Sequence, residues 1–179
     1  MATMSIHSRA LAIRHFVDSL TVALAVELDG AGEGVRALDI GSGAGFPGIP
    51  LAVLWPETHW QLLESDRRKA AFLNTAVGSL GLIGRVRVVN AAAEGDPEGE
   101  GVEPADLVIS RAVRGPKQLL QWLAPYGRTG ARIVGMLGPA YASESALQAE
   151  EAAAGVQRVS SWSGELPGEI GQRTVAVWG

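Results

Sequence analysis

Between Leu38 and Pro50 the chain reads Leu-Asp-Ile-Gly-Ser-Gly-Ala-Gly-Phe-Pro-Gly-Ile-Pro. An apolar run breaks into three alternating glycines and then meets two prolines. This predicts a buried strand entering a tight turn, with a helix starting at the prolines. Glycines at Gly41, Gly43 and Gly45 let the backbone take positive φ and let its amides approach a ligand without Cβ collisions. The G-x-G-x-G spacing, with Asp39 two residues before the first glycine, differs from the G-x-G-x-x-G of pyrophosphate binders. Pro47 and Pro50 also remove amide donors where a diphosphate would sit at a helix start.

One strand later, His59-Trp60-Gln61-Leu62-Leu63 ends in Glu64-Ser65-Asp66. An acid about 20 residues past the glycine turn, at the carboxyl end of the next strand, is where a ribose diol is gripped. A carboxylate accepts hydrogen bonds from both hydroxyls. Together the two features predict a nucleoside-bearing cofactor without a phosphate, and S-adenosylmethionine meets that description. A turn kept for packing alone and a solvated acid at a strand end are the blander readings.

The 179 residues are enough for one domain with a real core. At 47% hydrophobic and 19% charged residues the composition fits a folded globular chain. The absence of cysteine rules out a disulfide framework, a thiolate nucleophile and a cysteine-ligated zinc site. Three scattered histidines, His7, His15 and His59, make no metal cluster. No apolar run approaches a membrane span and no signal peptide opens the chain, so a cytoplasmic monomer without membrane partners is expected. The net charge of −4 argues against a strongly basic nucleic-acid module, although arginine clusters can still form a local patch.

Along the chain, residues 5 to 28 place Leu11, Phe16, Val17, Leu20, Leu24 and Leu28 at helical spacing. This predicts one or two amphipathic helices over 1–34, packed on a single globular unit over 35–179. Strands are then expected at 35–40, 59–64, 86–90, 106–110 and 131–137, with helices at 48–54, 67–80 and 116–124. A further helix from Ser143 and Glu144 to about Ala154 has Ser143 as its N-cap. Strands near 156–162 and 173–178 are joined by too short a loop for a crossover and read as an antiparallel hairpin. The predicted fold is α/β, a doubly wound, mostly parallel sheet with an antiparallel C-terminal edge hairpin. It is the Rossmann-like form of the class I methyltransferases.

With these residues in view, the chain resembles the bacterial 16S rRNA guanine-N7 methyltransferase family, also called glucose-inhibited division protein B. The matching segments are Arg14-His15-Phe16-Val17-Asp18-Ser19-Leu20, the turn from Asp39 to Pro50, Leu62-Leu63-Glu64-Ser65 and Val108-Ile109-Ser110-Arg111-Ala112. Arg173-Thr174-Val175 is a weaker match to the family's closing strand. The resemblance implies S-adenosylmethionine as cofactor and 16S rRNA, or the small ribosomal subunit, as partner. It puts Gly41, Phe46, Ala93, Glu94 and Arg111 on cofactor-binding positions, beside Asp39, Gly43, Gly45 and Glu64 from the turn and the next strand. Arg111 would meet the cofactor carboxylate, an RNA phosphate or a structural acid. His15 and Asp18 either line the site or pack a helix, and with Arg111 they are the candidates for a catalytic role. Arg114 and Lys117 are candidate phosphate contacts.

Against the family pattern, further N-terminal helices and a basic C-terminal tail are expected to be missing, and Leu137 and Ala92 stand where members carry basic residues. These differences bear on RNA binding more than on the cofactor. The alternative is a shortened paralogue that binds S-adenosylmethionine but methylates another substrate or none. No acid–base dyad is evident, which suits attack by guanine N7, whose lone pair is free without deprotonation. The missing cysteine excludes the covalent route to cytosine C5, and no Asn/Asp-Pro-Pro-aromatic tetrapeptide points to an exocyclic amine.

Overall fold

The computed structural model describes residues 13–27, 34–111, 115–141, 143–167 and 171–179. Among these residues seven strands form one sheet: β1 Arg36–Ile40, β2 His59–Leu63, β3 Val86–Val89, β4 Ala105–Ser110, β5 Gly127–Leu137, β6 Arg158–Leu166 and β7 Gly171–Trp178. Their spatial order is β3-β2-β1-β4-β5-β7-β6. The first five run parallel, with Ile40 opposite Leu63 and Asp39 opposite Ile109. β7 lies antiparallel between β5 and β6, with Val175 opposite Met136. The expected edge hairpin is present, and β7, the later strand, is the inner one.

Among the described residues four helices of seven or more residues flank the sheet: α1 Gly48–Leu54, α2 Arg67–Ser79, α3 Pro116–Leu123 and α4 Glu144–Ala154. Their ends follow local chemistry. Asp66 caps α2 by accepting from Arg68 N and Lys69 N, Pro116 opens α3, and Ser143 caps α4 by accepting from Ala146 N. Gly155 stops α4 at φ +66°.

Side chains alternate between the two faces of each strand. Leu107 and Ile109 of β4 join Trp60, Leu62, Leu73, Val134 and Val175 on one face. Val108 joins Leu38, Leu63, Leu119, Tyr126 and Leu147 on the other. Both faces are therefore dry, as a parallel sheet requires. Strand order reverses between β1 and β4, and in open α/β sheets that is where a ligand crevice lies, outside the strand carboxyl ends.

The N-terminal segment departs from expectation. Residues 13–25 form a π-turn over Ile13–Val17 and two short α-helical pieces, Asp18–Leu20 and Val22–Ala25. The predicted apolar stripe does not pack on the core: Phe16, Val17, Leu20 and Leu24 are exposed, Leu24 at 63%. Asp18, Ser19, Thr21, Val22, Ala25 and Val26 are buried instead. A π-turn carries extra residues per turn and rotates the face that follows it. The break at Thr21, whose hydroxyl bonds Asp18 O at 2.6 Å, interrupts the α register. Leu11 and Leu28 lie outside the described residues.

Candidate active site at the carboxyl ends of the strands

The β1–α1 turn builds the floor. Gly41 N and Ser42 N both donate to Leu63 O, at 2.9 and 3.1 Å, carrying the β1–β2 pairing into the turn. Gly41, Gly43 and Gly45 adopt φ of +76°, +59° and +95°. These glycines serve two needs. A Cβ on Gly41 would meet nothing within 4 Å, and one on Gly43 only Gly41 O at 3.9 Å, so both border open space in which a ligand can sit against bare backbone. A Cβ on Gly45 would come within 2.5 Å of Ile49 Cδ1, and one on Gly48 within 2.4 Å of Leu62 Cδ2, so these two permit close packing below.

Two carboxylates brace the turn. Glu64, almost wholly buried, accepts from Gly43 N through Oε2 and from Asp66 N through Oε1, both at 2.8 Å. It ties the glycine turn to the end of β2, and each oxygen keeps a second lone pair. Asp39 lies beneath the turn, fully buried, with Oδ2 accepting from Gly48 N at 2.9 Å and Oδ1 without a partner. Burial pushes its carboxyl up to about 7, against the opposing pull of the Gly48 amide. Asp39 therefore supports the turn from below and does not face the crevice.

The wall beyond β3 is held by residues that sequence reasoning passed over. Asn90 Nδ2 donates to Glu64 O and Ser65 O, locking the ends of β2 and β3 together. Glu100 accepts from Glu94 N, Asp96 N and the Tyr126 hydroxyl, while Tyr126 Oη accepts from Gly95 N. Trp122 Nε1 donates to Ala93 O at 2.9 Å. The Ala93-Glu94 pair is thus shaped through its backbone, and the Glu94 side chain is exposed. Burial and then the Glu100 bond raise the Tyr126 hydroxyl to about 12, which keeps it a donor. An acid in the sixth place after an expected ligand contact, facing a tyrosine ahead of β5, is a signal visible only in retrospect.

At the opposite rim four distant segments converge. Asp18, its side chain 3% exposed, has Oδ1 3.2 Å from Arg173 Nε and Oδ2 3.9 Å from Arg111 Nη1. Arg111 Nη1 lies 3.3 Å from His15 Nδ1. The His15 ring stacks on Phe46 with centroids 4.9 Å apart, and Phe16 meets Phe46 edge-on at 5.0 Å. Burial holds the Asp18 carboxyl above its ordinary range although both arginines and His15 pull it down. The structure thus brings together His15, Asp18, Phe46 and Arg111, and adds Arg173, which the sequence marked only as part of a strand. Lys117 is exposed in the first turn of α3, whereas Arg114 lies outside the described residues. Leu137 is buried in the core and offers no polar group to this rim.

Residues 3–166 match the model of the GidB family, rRNA small subunit methyltransferase G. The chain belongs to this family. Ribosomal RNA small subunit methyltransferase G of Myxococcus xanthus is 40% identical over 168 residues, covering 92% of this chain and 73% of the relative. Among solved structures, a SAM-dependent methyltransferase from Aquifex aeolicus is similar with a TM-score of 0.64 at 18% identity, covering 93% of this chain and 92% of that one. M. jannaschii TYW2, crystallised with AdoMet, is similar at 0.61 and 17%, covering 92% and 74%. The GidB-family chain has the class I methyltransferase fold and is an S-adenosylmethionine-dependent methyltransferase. The open space over Gly41 and Gly43 fits such a cofactor, since side chains there would fill it. No helix among the described residues is long and apolar enough to cross a membrane.

Proposed function

We propose that this chain methylates guanine N7 in 16S rRNA, using the crevice between β1 and β4. The observation that carries the reading is the convergence of Phe16, Phe46, His15, Asp18, Arg111 and Arg173 beside the glycine turn. Gly41, Gly43, Glu64, Phe46 and the Ala93-Glu94 backbone would hold S-adenosylmethionine, which supplies an electrophilic methyl on its sulfonium. Asp39 and Gly45 act below them as supports.

Guanine N7 attacks with a free lone pair, so the chain need not remove a proton first. Its contribution is orientation, which can lower a barrier by about 7–11 kcal/mol. Phe16, 51% exposed at the edge of the Phe46 ring, offers an aromatic face to an unstacked base. Asp18 holds the arginine pair in place. Arg111 is the more exposed of the two and presents a planar fork to a phosphate or a carboxylate. Lys117 and Arg114 lie close in sequence to Arg111 and would extend the phosphate contacts.

Methyl incorporation from labelled cofactor into small subunits lacking the modification, and into naked 16S rRNA, tests the reading. Incorporation at a guanine N7 is expected. Cofactor binding without incorporation into either substrate would favour a paralogue with a different substrate.

A further inference from the structure

The amino ends of β1, β2 and β3 form the rim opposite the glycine turn, and a cavity of about 510 Å³ opens there. Among the described residues its walls carry three guanidinium groups, Arg36, Arg85 and Arg87, beside His59 and one carboxylate, Glu103. Glu103 is shared: it lies 3.7 Å from Arg36 and 3.7 Å from Arg87, on half-exposed side chains where water competes for both contacts. Arg87 Nη2 is further held by Gln61 Oε1 at 2.5 Å and Gly101 O at 2.9 Å, which leaves its other N–H groups for a ligand. Arg85 has neither an ion pair nor a side-chain hydrogen bond among the described residues, and its Nη1 is shielded from water with no acceptor. An unpaired, water-shielded N–H carries a desolvation cost, and the Arg85 side chain that bears it borders the cavity. Among the described wall residues three cationic forks thus surround one acid, with Asp106 engaged by the Arg36 amide at 2.9 Å, in a chain of net charge −4.

We propose that this cavity binds a phosphate group, with Arg85 as its central ligand and Arg36 and Arg87 beside it. Guanidinium forks match the spacing of phosphate oxygens, which a lone ammonium cannot do. Gly34 and Gly84 border the cavity at φ of +71° and +100°, and a Cβ on either would meet nothing within 4 Å, so the approach is open. The cavity exceeds the size of a bare phosphate and leaves room for the nucleoside attached to it. That phosphate belongs either to the backbone of an RNA or to a free nucleotide. The RNA source rests on the proposed function; the phosphate chemistry does not.

The test titrates the full chain with inorganic phosphate while following the Arg85 Nε–H resonance. It also measures 16S rRNA binding across a salt series, for wild type, Arg85→Gln and Arg36→Gln. Phosphate is expected to shift the wild-type resonance, and Arg85→Gln to weaken phosphate binding about tenfold, with S-adenosylmethionine affinity unchanged. A salt slope lower by about 0.7 for each lost contact assigns the cavity to RNA backbone. An unchanged slope with weakened phosphate binding assigns it to a free nucleotide. No phosphate response in wild type, together with an unchanged slope in both variants, overturns the proposal. Failure of methyl transfer on every RNA would remove the proposed reaction but leave the phosphate titration to stand or fall by itself.

Discussion

Glu64 and Asp39 differ in what they do although both are buried acids within reach of the same turn. Glu64 accepts two backbone N–H groups and keeps lone pairs for a ligand. Removing a charged acceptor of this kind costs about 1.5–3 kcal/mol, so Glu64→Ala should weaken S-adenosylmethionine binding at least tenfold. Calorimetry giving equal affinity for variant and wild type would take Glu64 out of the site. Asp39 offers a different handle. Its folded-state value of about 7 lies above the ~3.9 of an unfolded aspartate, so the folded protein binds more protons between those limits. The stability linked to Asp39 is therefore full below about pH 4, falls as pH rises, and is lost above about pH 7. Asp39→Asn keeps an acceptor for Gly48 N and carries no charge. Denaturant unfolding should show that the variant loses this downward slope and is the more stable protein above about pH 7.

At the scale of elements, the turn separates two kinds of glycine. Gly45→Ala forces a Cβ to 2.5 Å from Ile49 and a side chain onto φ +95°. Strain and overpacking of this sort cost about 1–3 kcal/mol each, so its melting temperature should drop. Gly43→Val also bears the strain of φ +59° but meets only Gly41 O at 3.9 Å, so cofactor binding should be abolished without the overpacking cost of Gly45→Ala. If the two variants reverse these effects, the assignment of an upper and a lower glycine face is wrong. The N-terminal segment makes a parallel point. Its hydrophobic spacing described one or two amphipathic helices, but the π-turn and the Asp18 clamp decide which face turns inward. Asp18→Asn leaves Arg173 and Arg111 without their shared counter-charge. Breaking a fully buried pair costs about 3–5 kcal/mol, and the partial exposure of Arg111 reduces this to about 1–3. Arg111→Lys keeps the charge but not the fork, and activity should fall with little change in unfolding free energy. Full activity in that variant would reduce Arg111 to a structural ion pair.

For the whole molecule, charge is the controlling quantity in RNA recognition. With a net charge of −4, long-range attraction to RNA is weak, and binding should have a shallow salt dependence set by a few arginine contacts. A base already presented by an assembled subunit lowers the cost of unstacking. Labelled methyl incorporation should accordingly be more efficient into small subunits than into naked 16S rRNA. Efficient methylation of the naked RNA would show that a net charge of −4 does not limit RNA recognition.

The features legible in the sequence share one property: they depend on neighbours along the chain. The glycine turn, the Ser143 cap, the alternation of strands and helices, and the short-looped edge hairpin follow from backbone sterics and local hydrogen bonds. Glu64 belongs with them, because a βαβ unit puts consecutive strand ends side by side. What needed the tertiary structure were partners far apart in sequence. Asp18 meets Arg173 only because β7 inserts beside β5 and brings its first residues to the carboxyl rim, where Arg111 follows the end of β4. Tyr126 meets Glu100, and Arg36, Arg85 and Arg87 share one cavity, only once parallel strands are in register. Local pattern sets which residues can form an element, whereas burial and charge pairing across the fold decide which face turns inward and which side chains meet.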